Sequence, residues 1–258
     1  MRAVIKVGTS TLAHATGRLN IRRTEALCRV ISDLKNEGDE IILVSSGAIG
    51  MGVGKLCLRE KPTDIPTKQA AAAVGQCELM DTYDRMFMPY HHTVAQILLT
   101  GEDFHVEERH RNFSNTLARL LELNVLPIIN ENDTVATEEI KVGDNDTLSA
   151  MVAVSVGADL LVILSDVDGL YTANPRTDPN ARLIASAVGV SDEMKQMAGG
   201  EGSSLGTGGM RTKLRAAQIC NAGGCDLVIA NGAHPEALYD ILRGNGEGYT
   251  RIYAPKGE

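Results

Sequence analysis

Residues 3–44 read AVIKVGTSTLAHATGRLNIRRTEALCRVISDLKNEGDEIILV, and they decide the fold class. Ala3, Val4, Ile5 and Val7 form a short run, apolar on consecutive positions, as suits a strand covered on both faces. Residues 21–37 then place Ala26, Leu27, Val30, Ile31 and Leu34 on one helical stripe, with Asn20 as N-cap and Gly38 as C-terminal stop. Residues 40–44 repeat the consecutively apolar run. Strand, helix and strand in this order predict two parallel strands joined by a crossover helix.

The alternation continues outward from this unit. Strands are predicted at 93–98, 125–129, 160–164 and 227–230, and helices at 67–88, 109–123, 146–156, 211–222 and 235–243. The predicted fold is α/β, a three-layer αβα sandwich around a central, mostly parallel sheet. Pro62, Pro66, Pro175 and Pro179 fall in connecting segments, and residues 172–203 form the least regular stretch. No low-complexity linker or internal repeat divides the 258 residues, so one domain is expected over 1–258.

Lys plus Arg number 25 against 33 Asp plus Glu, a formal charge of −8. The basic footprint of a nucleic-acid binder is missing. With no Trp, three Phe and six Tyr, stacking platforms for bases are scarce too. Nucleic acid is therefore not an expected partner. The five cysteines (Cys28, Cys57, Cys77, Cys220 and Cys225) make no C-x-x-C pair and are odd in number. They predict neither a disulfide framework nor a zinc knuckle, but small buried side chains in a reducing compartment. The stretch after Met1 is too short and charged for a signal peptide, and no run reaches 18 apolar residues. A cytoplasmic location without a membrane partner is expected.

Glycine-rich turns mark where chemistry can sit. Lys6-Val7-Gly8-Thr9-Ser10, Ser45-Ser46-Gly47-Ala48-Ile49-Gly50 and Asn130-Glu131-Asn132-Asp133 each follow a predicted strand, where open α/β sheets bind ligands. Gly206-Thr207-Gly208-Gly209-Met210-Arg211-Thr212-Lys213 opens a helix whose N–H groups and dipole can face an anion. Neither a P-loop nor a dinucleotide fingerprint is present: Gly54-Lys55 is followed by Leu56, and Gly50, Gly52 and Gly54 have the wrong spacing.

These four motifs resemble the amino acid kinase family, as do Gly143-Asp144-Asn145-Asp146-Thr147-Leu148-Ser149-Ala150 and Leu164-Ser165-Asp166-Val167-Asp168-Gly169-Leu170-Tyr171-Thr172. They run in family order from Lys6 to Lys213. The Asn-Glu-Asn-Asp run together with Gly-Thr-Gly-Gly-Met points, within the family, to the branch that phosphorylates glutamate. The resemblance implies transfer of the ATP γ-phosphoryl group to the γ-carboxylate of L-glutamate, the first step of proline synthesis. It also implies proline as an inhibitor, Mg²⁺ carried with ATP, glutamyl phosphate reductase as a partner, and a homo-oligomer. The glutamate site is expected in the N-terminal part and the nucleotide site from about residue 160. Typical bacterial members continue into an RNA-binding-like PUA domain. The chain stops at Glu258, so that domain is expected to be absent.

The resemblance also implies the residue roles. Lys6 and Lys213 are the phosphate clamps, and Asp146 is the acid that holds them. Ser46, Asp133 and Asn145 are the substrate positions. Lys6, Ser165, Asp166, Thr207, Gly208, Gly209, Met210, Arg211, Thr212 and Lys213 make the ATP site. No protein metal ligand is expected. Out of context, each lysine would read as an ordinary solvated side chain, Asp133 and Asn145 as turn residues, Ser46 as a cap and Asp146 as a helix-start acid. Two other functions stay open: the same fold acting on UMP, acetylglutamate, aspartate or carbamate, and a silent glutamate or proline sensor.

Overall fold

The structure is a computed structural model that describes residues 1–14, 18–136, 142–175, 177–197 and 209–255. Its strands are β1 (Arg2–Val7), β2 (Glu40–Ser45), β3 (Val94–Leu99), β4 (Leu126–Glu131), β5 (Leu160–Ser165), β6 (Ser186–Val188), β7 (Asp226–Asn231) and β8 (Thr250–Tyr253). The described strands form one eight-stranded sheet in the order β3-β4-β2-β1-β5-β7-β8-β6. Neighbours from β3 to β7 are parallel, β8 runs antiparallel to β7, and β6 is parallel to β8.

The alternating faces of these strands feed two cores. Ala3, Ile5 and Val7 point to the side covered by α2 (Ile21–Asn36), α4 (Ile65–Phe87) and α10 (Ala237–Leu242). Val4, with Ile42, Val44, Ile129, Leu161 and Ile163, meets α6 (Glu107–Glu122), α7 (Asn145–Ser155) and α9 (Met210–Ala222) on the opposite side. Two helical layers around a sheet buried on both faces explain why β1, β2 and β5 are almost continuously apolar. The αβα sandwich expected from the sequence is the architecture found.

Helix starts follow ordinary capping chemistry. Asn20 Oδ1 accepts from Arg23 N at 3.2 Å and starts α2. Asp64 accepts from Thr67 N at 2.9 Å and starts α4. Gly38, at φ +100°, stops the α2 segment as expected.

Several elements were not visible in the sequence. Helix α3 (Ala48–Lys55) carries Gly50, Gly52 and Gly54, which lower helix propensity and read as a loop. Helices α1 (Thr9–Leu12), α5 (Glu102–His105) and α8 (Asp192–Met197), like β6 and β8, are too short to show a period. One cysteine expectation is corrected: Cys28, Cys220 and Cys225 are buried, but Cys57 and Cys77 are exposed. No helix among the described residues is long and apolar enough to cross a membrane.

Candidate active site

The chain leaves β1 for β2, β4 and β3 on one side of the sheet, then returns to β5 on the other. The carboxyl ends of β1 and β5 therefore flank a topological switch point, the crevice where open α/β sheets receive ligands. Lys6 lies there. Along β1 it shares the face of Val4, so its stem emerges on the α7 and α9 side just before the strand ends at Val7. At Gly8, an added Cβ would stand 3.5 Å from Lys6 Nζ, so glycine leaves the ammonium uncovered from that side.

Two helix starts complete the cluster. Asp144 caps α7, accepting from Thr147 N at 2.7 Å and Thr147 Oγ1 at 3.0 Å, which puts Asp146 in the first turn, where the helix dipole favours an anion. Thr212 and Lys213 lie in the first turn of α9, which packs beside α7. Lys6 Nζ is 2.8 Å from Asp146 Oδ1, and Lys213 Nζ is 3.2 Å from Oδ2. Thr212 Oγ1 donates to Oδ2 at 2.7 Å.

The trio is almost dry, with Lys6 9%, Asp146 1% and Lys213 5% exposed. Burial works to raise the Asp146 pKa, but the Lys6 and Lys213 ammoniums outweigh it and hold the carboxyl below its ordinary 3.8. Two ammoniums share this one carboxylate beside the carboxyl end of β1. Such a preorganised cation pair suits an oxyanion that gains or redistributes charge.

Beside the trio runs a chain of amides. Asn145 Nδ2 donates to Ser46 Oγ at 2.8 Å and to Asn130 Oδ1 at 3.0 Å. Asn130 Oδ1 also accepts from Glu131 N at 2.9 Å, and Asn130 Nδ2 donates to Gln76 Oε1 at 3.0 Å. Ser46 follows β2 directly, and Gly47 at φ +114° turns the chain into α3, a backbone conformation that favours glycine. Asp133 sits in the turn after β4 and lines a small cavity with Gln76, Ala48, Ala72 and Leu98.

On the other side of β1, Ser165 ends β5 and its Oγ donates to Asp166 Oδ1 at 3.2 Å. Asn231 Nδ2 and Tyr171 Oη both donate to Asp168, at 2.8 and 2.9 Å, and brace the turn that follows. Gly209 is the N-cap of α9, and Met210 and Arg211 open its first turn. Thr207 and Gly208 lie outside the described residues.

The structure thus joins Lys6, Lys213 and Asp146 in direct contact, places Ser46 against Asn145, and sets Asp133 across the neighbouring cavity. Thr212, expected at the nucleotide, has its hydroxyl within donating distance of Asp146 Oδ2 and Gly209 O, at 2.7 and 2.8 Å. Gln76 and the role of Asn130 escaped sequence reasoning. The one signal in the sequence was an amide interrupting the small-residue face of α4. Among the described residues no group of three or more His, Cys, Asp or Glu could hold a metal ion.

The sequence matches the amino acid kinase family over residues 1–231. It is 53% identical to a glutamate 5-kinase of Clostridium acetobutylicum, covering 100% of this chain and 96% of that protein. It is 52% identical to one of Caldanaerobacter subterraneus subsp. tengcongensis, covering 97% of this chain and 67% of that protein. Among solved structures, carbamate kinase from Giardia lamblia bound to AMP-PNP aligns with a TM-score of 0.70 at 17% identity, covering 98% of both chains. Isopentenyl phosphate kinase of T. acidophilum aligns at 0.67 and 15% identity, over 98% of this chain and all of that one. At these identities the two structures show a shared fold.

Proposed function

The chain belongs to the amino acid kinase family, and from that premise we infer that it is a glutamate 5-kinase, transferring the γ-phosphoryl group of ATP to the γ-carboxylate of L-glutamate. The observation that carries this reading is the buried Lys6–Asp146–Lys213 trio, set between an amide-rich pocket and the Ser165–Asp166 rim. It supports a division in which the N-terminal part holds glutamate and the part from about residue 160 holds nucleotide.

The nucleophile needs no activation. A γ-carboxyl with a pKa of about 4.3 is already an anion at neutral pH, so no general base is required. A carboxylate oxygen attacks the γ-phosphorus, the bond to the β–γ bridging oxygen breaks, and ADP leaves with that electron pair. No proton moves. The obstacle is repulsion between two anions, and Lys6 and Lys213 answer it by clamping the transferring group's oxygens. Asp146 pairs with both ammoniums and fixes their stems.

Asp133 supplies a carboxylate for the substrate ammonium, while Ser46 and Asn145 fix the amino acid beside it. The dipole and backbone N–H groups at the start of α9 favour the ATP phosphates. The described residues offer no carboxylate cage for a divalent ion, and Asp146 is committed to its lysines. Mg²⁺ would accompany ATP and would supply positive charge to its phosphates. Proline carries an α-carboxylate beside a secondary α-ammonium, close in placement to glutamate's primary one, and inhibits by occupying their subsite. The acyl phosphate product is labile, so a glutamyl phosphate reductase is the fitting consumer.

The test is ADP release with ATP, Mg²⁺ and L-glutamate, trapping the product with hydroxylamine as the γ-hydroxamate. Release that requires glutamate and yields hydroxamate is expected. Turnover of UMP, carbamate, aspartate or acetylglutamate instead of glutamate would overturn the assignment, and binding without ADP release would make the protein a sensor.

A further inference from the structure

We propose that Gln76 sets specificity, its Nε2 donating to the α-carboxylate of the amino-acid substrate. This rests on the glutamate reading above and names the group that recognises the non-reacting end of the molecule.

The orientation of Gln76 follows from its neighbours. Asn130 Oδ1 accepts from both Glu131 N and Asn145 Nδ2, so the Asn130 amide group turns its Nδ2 toward Gln76. Gln76 must therefore present Oε1 to it, at 3.0 Å, which leaves Nε2 turned away. That nitrogen is buried without a hydrogen-bond partner among the described residues, in a side chain only 7% exposed. Native proteins rarely leave a buried donor unanswered, and a ligand oxygen is one of the few things that explains such an exception.

Position selects which ligand oxygen. Two hydrogen-bonded amides, Asn130 and Asn145, separate Gln76 from Asp146 and its lysines. Gln76 therefore stands away from the reacting end. It shares its cavity with Asp133. An α-ammonium and an α-carboxylate hang on one carbon, so the groups that read them have to be neighbours. The Asp133 carboxylate and the Gln76 amide donor match that head group in sign, and the second carboxylate on the cavity, Glu131, accepts from Val142 N at 2.6 Å through its Oε1. Ala48, Ala72 and Leu98 form the apolar part of its wall, beside Asn132 and Thr134. Helix α4 is also a rigid platform, because Gly75 lies directly against the α3 backbone: a Cβ there would stand 1.8 Å from Ala48 O.

The experiment compares wild type, Gln76→Glu and Gln76→Met with L-glutamate and with its α-amide, isoglutamine, at saturating Mg·ATP. Gln76→Glu keeps an acceptor for Asn130 Nδ2 but replaces the donor with a negative oxygen. The expected result is a glutamate KM about 100-fold higher from like-charge repulsion, with kcat and the ATP KM within about threefold of wild type. Preference should swing toward the α-amide, whose NH₂ can donate to the introduced carboxylate. Gln76→Met lacks the donor without adding charge and should narrow the preference for glutamate about tenfold, so the contact is still read if the charged variant does not fold. Should Gln76→Glu melt like wild type and keep its glutamate KM and its preference, Gln76 only supports Asn130 and the proposal is wrong. Wild type that never turns over glutamate would overturn the kinase reading instead. Calorimetric titration of L-glutamate and of isoglutamine into wild type and Gln76→Met still reads the contact then: a preference for glutamate narrowed about tenfold supports it, and an unchanged preference overturns it.

Discussion

Asp146 is the residue on which most of the site's electrostatics turns. Replacing it with Asn preserves size but removes the carboxylate that pairs with the Lys6 and Lys213 ammoniums. A kcat loss on the order of 10²-fold is expected, with little change in either KM, because the charge works through the clamp in the transition state. Steady-state kinetics with thermal melts check it. A folded variant with normal kcat but poor glutamate affinity would make Asp146 a substrate ligand. Its depressed pKa also has a sign. The stability it contributes is fully present above the unfolded value of 3.8 and is lost as pH falls through the lower folded value. Urea melts from about pH 7 to about pH 3 should therefore show the gap between wild type and Asp146→Asn closing only at the acid end. Asp133→Ala and Asn145→Ala should instead raise the glutamate KM and weaken proline inhibition in parallel. Proline sensitivity that survives a large rise in glutamate KM would refute a shared subsite.

At the scale of elements, the contact between α3 and α4 decides how firmly the amino-acid side is held. A Cβ at Gly52 would stand 1.8 Å from Ala71 O, and one at Gly75 1.8 Å from Ala48 O and 2.4 Å from Gly52 N. Backbone meets backbone here, so neither clash can relax by a rotamer change. Gly75→Ala is expected to destabilise the fold by about 1–3 kcal/mol and to raise the glutamate KM, since α3 follows Ser46 and α4 carries Gln76. At Gly54 a Cβ would meet nothing within 4 Å, so Gly54→Ala should be neutral or stabilising by at most about 1 kcal/mol. Chemical denaturation of both variants is the check, and equal effects would remove the packing explanation. These glycines also show why α3 was illegible. Low propensity hid a helix that exists because its neighbour comes so close. Gln76 was hidden for the same reason: in an alanine-rich segment it reads as a surface amide, and only the approach of α3 and β4 buries it.

Across the whole molecule, β1 lies between β2 and β4 on one flank and β5 and β7 on the other, and the proposed function assigns glutamate to the first flank and nucleotide to the second. L-glutamate should slow amide hydrogen exchange in α3, the turn after β4 and the start of α7. An ATP analogue should protect the turn after β5 and the start of α9. Protection of the same segments by both ligands would refute the division. Much of this plan was legible in the sequence, because strands buried on both faces announce themselves as apolar runs and the glycine turns sit at their ends. Lys6, Asp146 and Lys213 could be picked out by motif, yet no spacing between residues 6, 146 and 213 encodes a contact. Their meeting depends on strand order, which a string of residues does not display. That meeting also bears on how the chain reaches its native state. Lys6 lies on β1, whereas its fellow ammonium arrives on α9, far along the chain. Until α7 and α9 dock, the central strand holds a cation on a face that is becoming dry, a burden that opposes early closure. A refolding chain is thus expected to regain its helical signal first and its catalytic activity last, when the contacts of longest sequence separation have formed.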